Sequence, residues 1–417
     1  MLVTANHPNA LIDPLVVFRT AGRVVRPLAK APLFEQALVG TVLKGLGGLP
    51  VYRRQDDPAL MHLNDTTFDA AIAALHAGEA VQIFPEGQSH SGPSLAPLRT
   101  GAARIALMAE ERAGWSLGLA VVPVGLTYVR KSTFRGRALA TVGEPLSVVG
   151  YREDWEEDPQ EAARALTEEI TRRLEEVTLN LQAPQDHELV EVAERLYARQ
   201  KGLVGWRERE ALADRLPRLQ AFGRGLAWLR SNDPARYASL ARAVARYHRL
   251  IALFGASEGD VPPRYTVGAV MRYVVRQSTA LALLLIPAAV GVLAWVLPYQ
   301  IPTLVARAAR PTLDAVSTYK LGSALLAFPA MLAIWTALAL WRGGAAWGVA
   351  VALALPLCGW AAICFKARTA TVVEDARIFL RASRAGKGKE RLAATRARLV
   401  EEFDTVAAEM AGAGSSS

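Results

Sequence analysis

The sequence contains few cysteines, and both lie in one apolar run. Only Cys358 and Cys364 occur among 417 residues, which excludes a disulfide framework and leaves no metal-ligand spacing. The chain also lacks any zinc, helix-turn-helix or aromatic RNA-binding signature, although its net charge is +9. Nucleic acid is therefore not expected as a partner, and the basic residues point to an anionic lipid surface, because apolar runs lie beside them.

Three long runs lack Asp, Glu, Lys and Arg altogether. Each has 19–21 residues, enough for a helix to cross a hydrocarbon core of ~30 Å. Buried helices of a soluble bundle are the weaker interpretation, because such helices usually keep a polar stripe. The flanking Lys and Arg residues lead us to expect that the first run dips into the membrane and returns, and that the other two form a hairpin. The predicted membrane segments are 279–297, 322–340 and 345–365.

The pattern before these runs divides the chain. Residues 1–150 alternate between short β-rich runs and helical spacing, which is typical of an α/β domain. Residues 151–270 are predicted to be a helical region, 271–366 to hold the membrane segments, and 367–417 to be a basic helical tail with a disordered end. No secretory signal precedes the first strand, and we expect the usual upstream elements to be missing or truncated. Predicted strands are Leu2–Ala5, Ala80–Phe84 and Ala120–Leu126, and predicted helices are Leu33–Leu46 and Phe68–Leu75.

A histidine and an aspartate follow the first predicted strand. His7 and Asp13 stand at a strand-to-helix turn that Pro8 and Asn9 favour. An imidazole oriented by a carboxylate removes the proton from a hydroxyl, which is otherwise a poor nucleophile at neutral pH. The pair alone is weak evidence, because such residues are more often solvated or cap a helix.

Three further motifs follow in order. Arg53, after Gly47 and Pro50, is of the type that binds a phosphate dianion through two parallel bonds. Phe84-Pro85-Glu86-Gly87 leaves a predicted strand, at the sheet edge where α/β proteins bind ligands. Arg99 opens a helical pattern whose free N–H groups suit an anion. The Val122-Pro123 strand is at least as well explained as plain core.

Together and in this order, the motifs resemble those of the glycerolipid acyltransferases, across about residues 1–150. That family acylates glycerol-3-phosphate, dihydroxyacetone phosphate or lysophosphatidic acid. Its motifs are a His-x4-Asp pair, a Gly-x-x-Pro-x-x-Arg block, a Phe-Pro-Glu-Gly block and a Val-Pro strand. Here five residues, not four, separate His7 from Asp13, so either the turn absorbs the extra residue or the pair is broken. The form of the first motif looks most like the fungal-type glycerol-3-phosphate/dihydroxyacetone-phosphate branch and its bacterial relatives.

The resemblance implies a central mixed sheet flanked by helices and a direct acyl transfer. His7 would be the general base and Asp13 would orient it. The implied partners are an acyl thioester of coenzyme A or acyl carrier protein, a glycerol phosphate acceptor and membrane lipids, with no metal or bound cofactor. The implied location is a membrane, a bacterial inner membrane, with the catalytic domain facing the cytoplasm. Acceptor contacts are assigned to Arg53, Glu86 and Gly87, with Asn6, Ser89 and Arg99 as further lining.

Two alternatives remain open at this point. The first is the same chemistry on a 1-acylglycerol phosphate, which the four motifs do not separate from glycerol-3-phosphate. The second is a non-catalytic lipid-binding protein of the same fold, in which the longer His7–Asp13 spacing has ended turnover. The other histidines, His62, His76, His90, His187 and His248, have no partner pattern and are expected to be solvated or structural.

Overall fold

The computed structural model describes residues 1–52, 62–129, 131–133, 135–203, 210–254, 267–384 and 387–414. The chain divides into two compact units. The first, here called the sheet unit, comprises Met1–Pro184, Ala211–Gly223 and Thr312–Thr318. The second, the helical unit, comprises Gln185–Glu210, Arg224–Pro311 and Tyr319–Ser417.

The sheet unit is built on one mixed sheet, as the resemblance implied. The strand order is β3-β2-β4-β1-β5-β6, with β7 paired to β5. The five strands from β3 to β5 are parallel, and β6 and β7 run antiparallel to β5. The strands are β1 (Leu2–Ala5), β2 (Val25–Lys30), β3 (Leu49–Val51), β4 (Ala80–Ile83), β5 (Ala120–Val129), β6 (Arg137–Val142) and β7 (Leu146–Ser147).

Helices cover both faces of this sheet. The apolar residues of α3, α4 and α6 form a core with one face, and Val17 of α1 packs with Val3 and Val25 on the other. All four residues of β1 are buried, and three of them, Leu2, Val3 and Ala5, are apolar. The helices are α1 (Ile12–Thr20), α2 (Ala37–Gly45), α3 (Leu63–His76), α4 (Gly101–Arg112), α5 (Arg152–Glu157) and α6 (Pro159–Val177), with 3-10 turns at Ala31–Glu35 and Val149–Tyr151.

One prediction for this unit needs correction, and some of its strands were not predicted. The helix expected over Leu33–Leu46 is divided, because Gln36 is extended and separates a 3-10 turn from α2. Strands β2 and β3 were not predicted, because Pro27 and Pro50 interrupt the pattern that indicates a strand.

The motif around Val122-Pro123 ends at a close contact between β5 and α6. A Cβ atom placed on Gly125 would lie 1.9 Å from the carbonyl oxygen of Val177, at the end of α6. Only a residue without a side chain allows the helix to approach the strand this closely. The strand that carries this motif therefore packs directly against α6 in the core of the sheet unit.

We predict that Gly125→Ala destabilises the sheet unit, because the new methyl group must push α6 away from β5. The expected loss is about 1–3 kcal/mol of unfolding free energy, measured by thermal or denaturant unfolding. Gly150→Ala is the matched control, since nothing lies within 4 Å of a Cβ built at that position. Equal stability of the two variants would contradict the prediction.

The helical unit contains α7 (Asp186–Gln200), α9 (Pro234–Phe254) and α12 (Lys387–Gly414), and α8 (Leu212–Asn232) runs from the sheet unit into it. Acidic residues of α12 pair with a base on α9 and with a base directly after α7. Arg236 contacts Glu402 and Glu409, each at 2.6 Å, and Lys201 contacts Asp404 at 2.8 Å. The predicted helical tail is thus a helix with an acidic face in ion pairs. Of the end expected to be disordered, 412–417, residues 412–414 are the last residues of α12, and 415–417 lie outside the described residues.

The three apolar runs lie on two long helices, α10 (Val267–Ala309) and α11 (Val316–Arg384). Gly344 breaks α11 with φ 78° and ψ −173°. Trp335 before the break donates to the carbonyl of Ala294, and Leu355 after it accepts from Trp295 at 2.8 Å. Since both halves of α11 meet α10 at the same level, the chain folds back at Gly344, as the predicted hairpin requires.

The expectation that the first run dips and returns is wrong. Helix α10 continues through Pro287, Pro298 and Pro302 without reversing. In an apolar helix each proline removes one hydrogen bond and bends the axis, yet neighbouring helices allow the helix to continue. By length and composition, Val270–Ala309 and Val316–Val373 are able to cross a membrane.

Candidate active site

The site is built from loops at the carboxyl ends of three adjacent parallel strands. His7 follows β1, Glu86 follows β4 and Lys131 follows β5. Because β1 lies between β4 and β5, these loops meet at one edge of the sheet, where α/β proteins commonly place their ligands.

The structure brings His7 and Asp13 together despite the extra residue. Nδ1 of His7 lies 2.8 Å from Oδ2 of Asp13, the second residue of α1. Ala10 adopts a positive φ of 35° in the turn between them, and the amide of Ile12 donates to the carbonyl of Asn9 at 2.9 Å. The left-handed residue tightens the turn, so the fifth intervening residue is absorbed and the pair is intact.

The carboxylate of Asp13 is fully buried and receives three hydrogen bonds. Oδ2 accepts from His7 and from the amide of Asn9 at 2.7 Å, and Oδ1 accepts from the hydroxyl of Tyr128 at 2.6 Å. Burial, and then the negative charge of Asp13 and this bond, raise the pKa of Tyr128 well above its usual value. Tyr128 therefore remains a hydrogen-bond donor to Asp13 throughout the accessible pH range.

These contacts fix the tautomer of His7. An ionised carboxylate only accepts hydrogen bonds, so Nδ1 carries the proton and Nε2 has a free lone pair. The ring of Phe84 stacks on the imidazole with centroids 3.9 Å apart and planes at 10°. The side chain of His7 is 18% exposed. The imidazole is thus oriented through Nδ1 and partly exposed, and Nε2 is the ring nitrogen that can act as a general base.

Glu86 ties the β4 loop to the His7 loop. Its Oε1 accepts from the amide of His7 at 2.7 Å, and its Oε2 accepts from the amide of Ala96 at 2.8 Å and pairs with Nε2 of His90. His90 in turn accepts from Gly92 through Nδ1 and donates its amide to the carbonyl of His7. The buried Glu86 carboxylate is therefore used to hold the loops. Its predicted contact with an acceptor stays a prediction.

The remaining predicted residues have different surroundings. The amide side chain of Asn6 pairs with both backbone groups of Leu126 and so extends the β1–β5 pairing. Ser89 donates to Asp314 at 2.5 Å. Arg99 lies beside Gly87, where a Cβ atom would come within 2.7 Å of its Nε. Arg53 lies outside the described residues, and the helix expected after Arg99 begins at Gly101.

Four residues of the site were not found from the sequence. Tyr128, Lys131 and Asp314 are distant from His7 along the chain, and no motif connects them to it. His90 was expected to lack a partner, although its spacing of four residues from Glu86 was a usable signal. Among the described residues, no group of three or more His, Cys, Asp or Glu side chains forms a metal site.

Comparisons with known proteins concern the part of the chain that holds His7 and Asp13. A family model described as Acyltransferase matches residues 1–127. These residues form an acyltransferase domain. The histidine and aspartate of the site both lie within it.

Relatives of this acyltransferase domain carry glycerolipid names. A stretch of 135 residues is 40% identical to "Glycerol-3-phosphate O-acyltransferase 2" of Saccharomyces cerevisiae, covering 32% of this chain and 18% of that protein. A stretch of 154 residues is 29% identical to "1-acyl-sn-glycerol-3-phosphate acyltransferase" of Bacillus subtilis, covering 36% of this chain and 67% of that protein. The crystal structure of the 1-acyl-sn-glycerophosphate acyltransferase from Thermotoga maritima aligns over 42% of this chain and 66% of that one, with 22% identity and a TM-score of 0.30. The chain therefore spans less than a fifth of the yeast relative.

We predict that the backbone of Ala10 decides whether the acyltransferase domain keeps its His7–Asp13 contact. Valine is β-branched and disfavours a positive φ, so Ala10→Val should cost about 1–3 kcal/mol and displace Asp13. Both the melting temperature and the rate of acyl transfer should fall. Ala10→Gly, which adopts a positive φ without strain, should retain both. The interpretation fails if the valine and glycine variants behave alike.

We also predict that the Tyr128 hydroxyl is needed to orient Asp13. Removing one of three donors to a buried carboxylate costs about 1–3 kcal/mol, so Tyr128→Phe should lower kcat about tenfold with little change in the KM for the acceptor. Tyr197→Phe is the matched control, since it removes a hydroxyl that donates to Asp404 in the helical unit. An unchanged kcat in Tyr128→Phe would show that Asp13 does not need this donor.

Proposed function

We propose that this chain transfers a fatty acyl group from an acyl thioester to the hydroxyl of glycerol-3-phosphate or dihydroxyacetone phosphate, a step toward phosphatidic acid. The observation that carries the proposal is the intact pair of His7 and Asp13 within an acyltransferase domain. The similarity to a yeast glycerol-3-phosphate acyltransferase supports this acceptor.

The proposed mechanism is a direct displacement. Nε2 of His7 takes the proton from the acceptor hydroxyl while the oxygen attacks the thioester carbonyl carbon. The tetrahedral intermediate collapses, the C–S bond breaks, and the imidazolium returns the proton to the leaving thiolate. Asp13 stabilises the imidazolium and keeps the ring in place. Since Asp13 is held by Asn9 and Tyr128, little reorganisation is needed when the positive charge forms.

The acceptor is proposed to bind beside this pair. Arg53 would bind its phosphate, and Glu86 and Gly87 would hold its glycerol part. Asn6, Ser89 and Arg99 are proposed as further lining. The reaction as written uses no metal ion and no bound cofactor, and the donor is a thioester of coenzyme A or of acyl carrier protein.

A 1-acylglycerol-3-phosphate is the second candidate acceptor. The similarity to the Bacillus subtilis enzyme, of which the alignment covers 67%, favours it. A non-catalytic lipid-binding protein is a weaker candidate. A site that had lost its activity would have no reason to keep the buried carboxylate of Asp13 with three hydrogen-bond donors, one of them His7.

The proposed location is a membrane. Helices α10 and α11 are long and apolar, and many of their large side chains are exposed, such as Leu283 at 75% and Leu293 at 77%. Lipid tails would cover these side chains, whereas water would not be tolerated on so large an apolar surface. We propose a bacterial inner membrane with the site on the cytoplasmic side. The acyl donor is made in the cytoplasm, and the basic residues that flank the apolar helices would contact anionic lipids there.

We predict that membranes containing the full chain acylate one of three acceptors, supplied in parallel: glycerol-3-phosphate, dihydroxyacetone phosphate and 1-acylglycerol-3-phosphate. Each acceptor is tested with acyl-coenzyme A and with acyl carrier protein thioester. His7→Ala should lower kcat about 10²–10⁴-fold, the usual contribution of a general base. The product identifies the acceptor.

His187→Ala is the control variant, because His187 is an exposed histidine on α7. It should retain the wild-type rate. Acylation of no acceptor, together with retained binding of glycerol-3-phosphate, would identify a binding protein. Equal rates in the two histidine variants would remove His7 from the mechanism.

A further inference from the structure

A short segment far along the chain contacts the loops of the site. This linker segment, Thr312–Thr318, lies between the end of α10 and the first turn of α11 and belongs to the sheet unit. The amide of Leu11 donates to Oγ1 of Thr318 at 3.3 Å. Ser317 donates to the carbonyl of Lys131 at 2.7 Å, and Ser89 donates to Asp314 at 2.5 Å. The linker segment thus touches the loops after β1, β4 and β5.

Lys131 connects the same three loops from the β5 side. Its Nζ donates to the carbonyl of Pro8 at 3.0 Å and to Oγ of Ser91 at 2.6 Å. Pro8 directly follows His7, so the ammonium group supports the backbone that carries the base. A charged donor makes a shorter and stronger bond than a neutral amine. The support is therefore strongest while Lys131 is protonated.

Asp314 places a buried negative charge near this ammonium group. Its side chain is 8% exposed. Burial alone would raise the pKa of Asp314, but hydrogen bonds from Ser89 and Thr312, its own backbone and the charge of Lys131 outweigh burial and lower it. Asp314 is therefore ionised at neutral pH. A buried ionised carboxylate needs compensating interactions, and the positive charge of Lys131 is one of them here.

Burial and the nearby charges act in opposite directions on the pKa of Lys131. Burial lowers the pKa of Lys131, and the charges of Asp314 and then Asp13 raise it in part. Asp314 comes from the linker segment and Asp13 from α1, and the His90–Glu86 pair lies in the loop that also carries Ser91. Loss of either aspartate charge would make Lys131 deprotonate at a lower pH.

We infer that Asp314 is a positioning residue of the acyl-transfer site: from the linker segment it accepts a hydrogen bond from Ser89 and places its charge near Lys131, which braces the His7 loop. The inference rests on the proposed function. It also means that the site of this chain is completed by residues between its two long apolar helices.

The test compares kcat/KM for the acceptor as a function of pH in the wild-type full chain and in Asp314→Asn. Asparagine has the same shape and still accepts from Ser89, so only the charge is removed. The alkaline limb of the profile should move to lower pH by about half a unit to one unit. Asp404→Asn, a matched change in the helical unit, should leave the profile unmoved.

A second variant separates charge from shape. Arginine remains charged at all accessible pH values, so Asp314→Asn combined with Lys131→Arg should return the alkaline limb to the wild-type pH or above. Disruption of the fold by Asp314→Asn would lower the rate at every pH, and arginine would not rescue it. That pattern would overturn the inference.

Direct titration of Lys131 does not depend on turnover. The rate of acetylation of the Lys131 amine by acetic anhydride is followed against pH by mass spectrometry of its peptide. In Asp314→Asn the midpoint should move to lower pH by the same amount. An unmoved midpoint would overturn the inference even if the wild type is active. A wild type that acylates no acceptor, with a midpoint that moves, would overturn the proposed function alone.

Discussion

A carboxylate with no exposure to solvent is the constraint on which the site depends. Placing Asp13 beneath the turn costs several kcal/mol unless both of its carboxylate oxygens accept hydrogen bonds. The donors come from three places: the imidazole of His7, the amide of Asn9 and the hydroxyl of Tyr128. Meeting that requirement aligns the β1 loop with β5, and the parallel order of β4, β1 and β5 makes the alignment possible. The orientation of the base is thus a result of folding energetics.

The sequence was sufficient to find the residues that share a motif, because chemistry and spacing are both visible in it. His7, Asp13 and Glu86 were predicted and lie together. The turn that absorbs the extra residue was not predictable, since nothing about Ala10 indicates a positive φ. Tyr128 and Asp314 were also missed, because they reach the site through sheet pairing and chain return, which leave no local pattern. The roles proposed for Arg53 and Arg99 stay predictions.

The fold was predictable to a similar degree and for similar reasons. β1 was found at its observed bounds because burial on both faces makes its sequence mostly apolar. β2 and β3 were missed because their prolines remove the β-strand pattern, although Pro50 lies on an edge strand, where a missing N–H is tolerated. The continuous course of α10 was also missed. Its prolines were interpreted as a turn, and packing against both halves of α11 around Trp295 is invisible in a single sequence.

The sheet unit is discontinuous along the chain, and this affects the order in which the protein is made. A ribosome releases Met1–Pro184 early, with the sheet and the His7 motif complete. The linker segment emerges only after all of α10 has been synthesised. Until then, Ser89 and Lys131 lack their contacts with Asp314 and Ser317. A nascent chain therefore acquires its last site contacts only after the whole of α10 has been made.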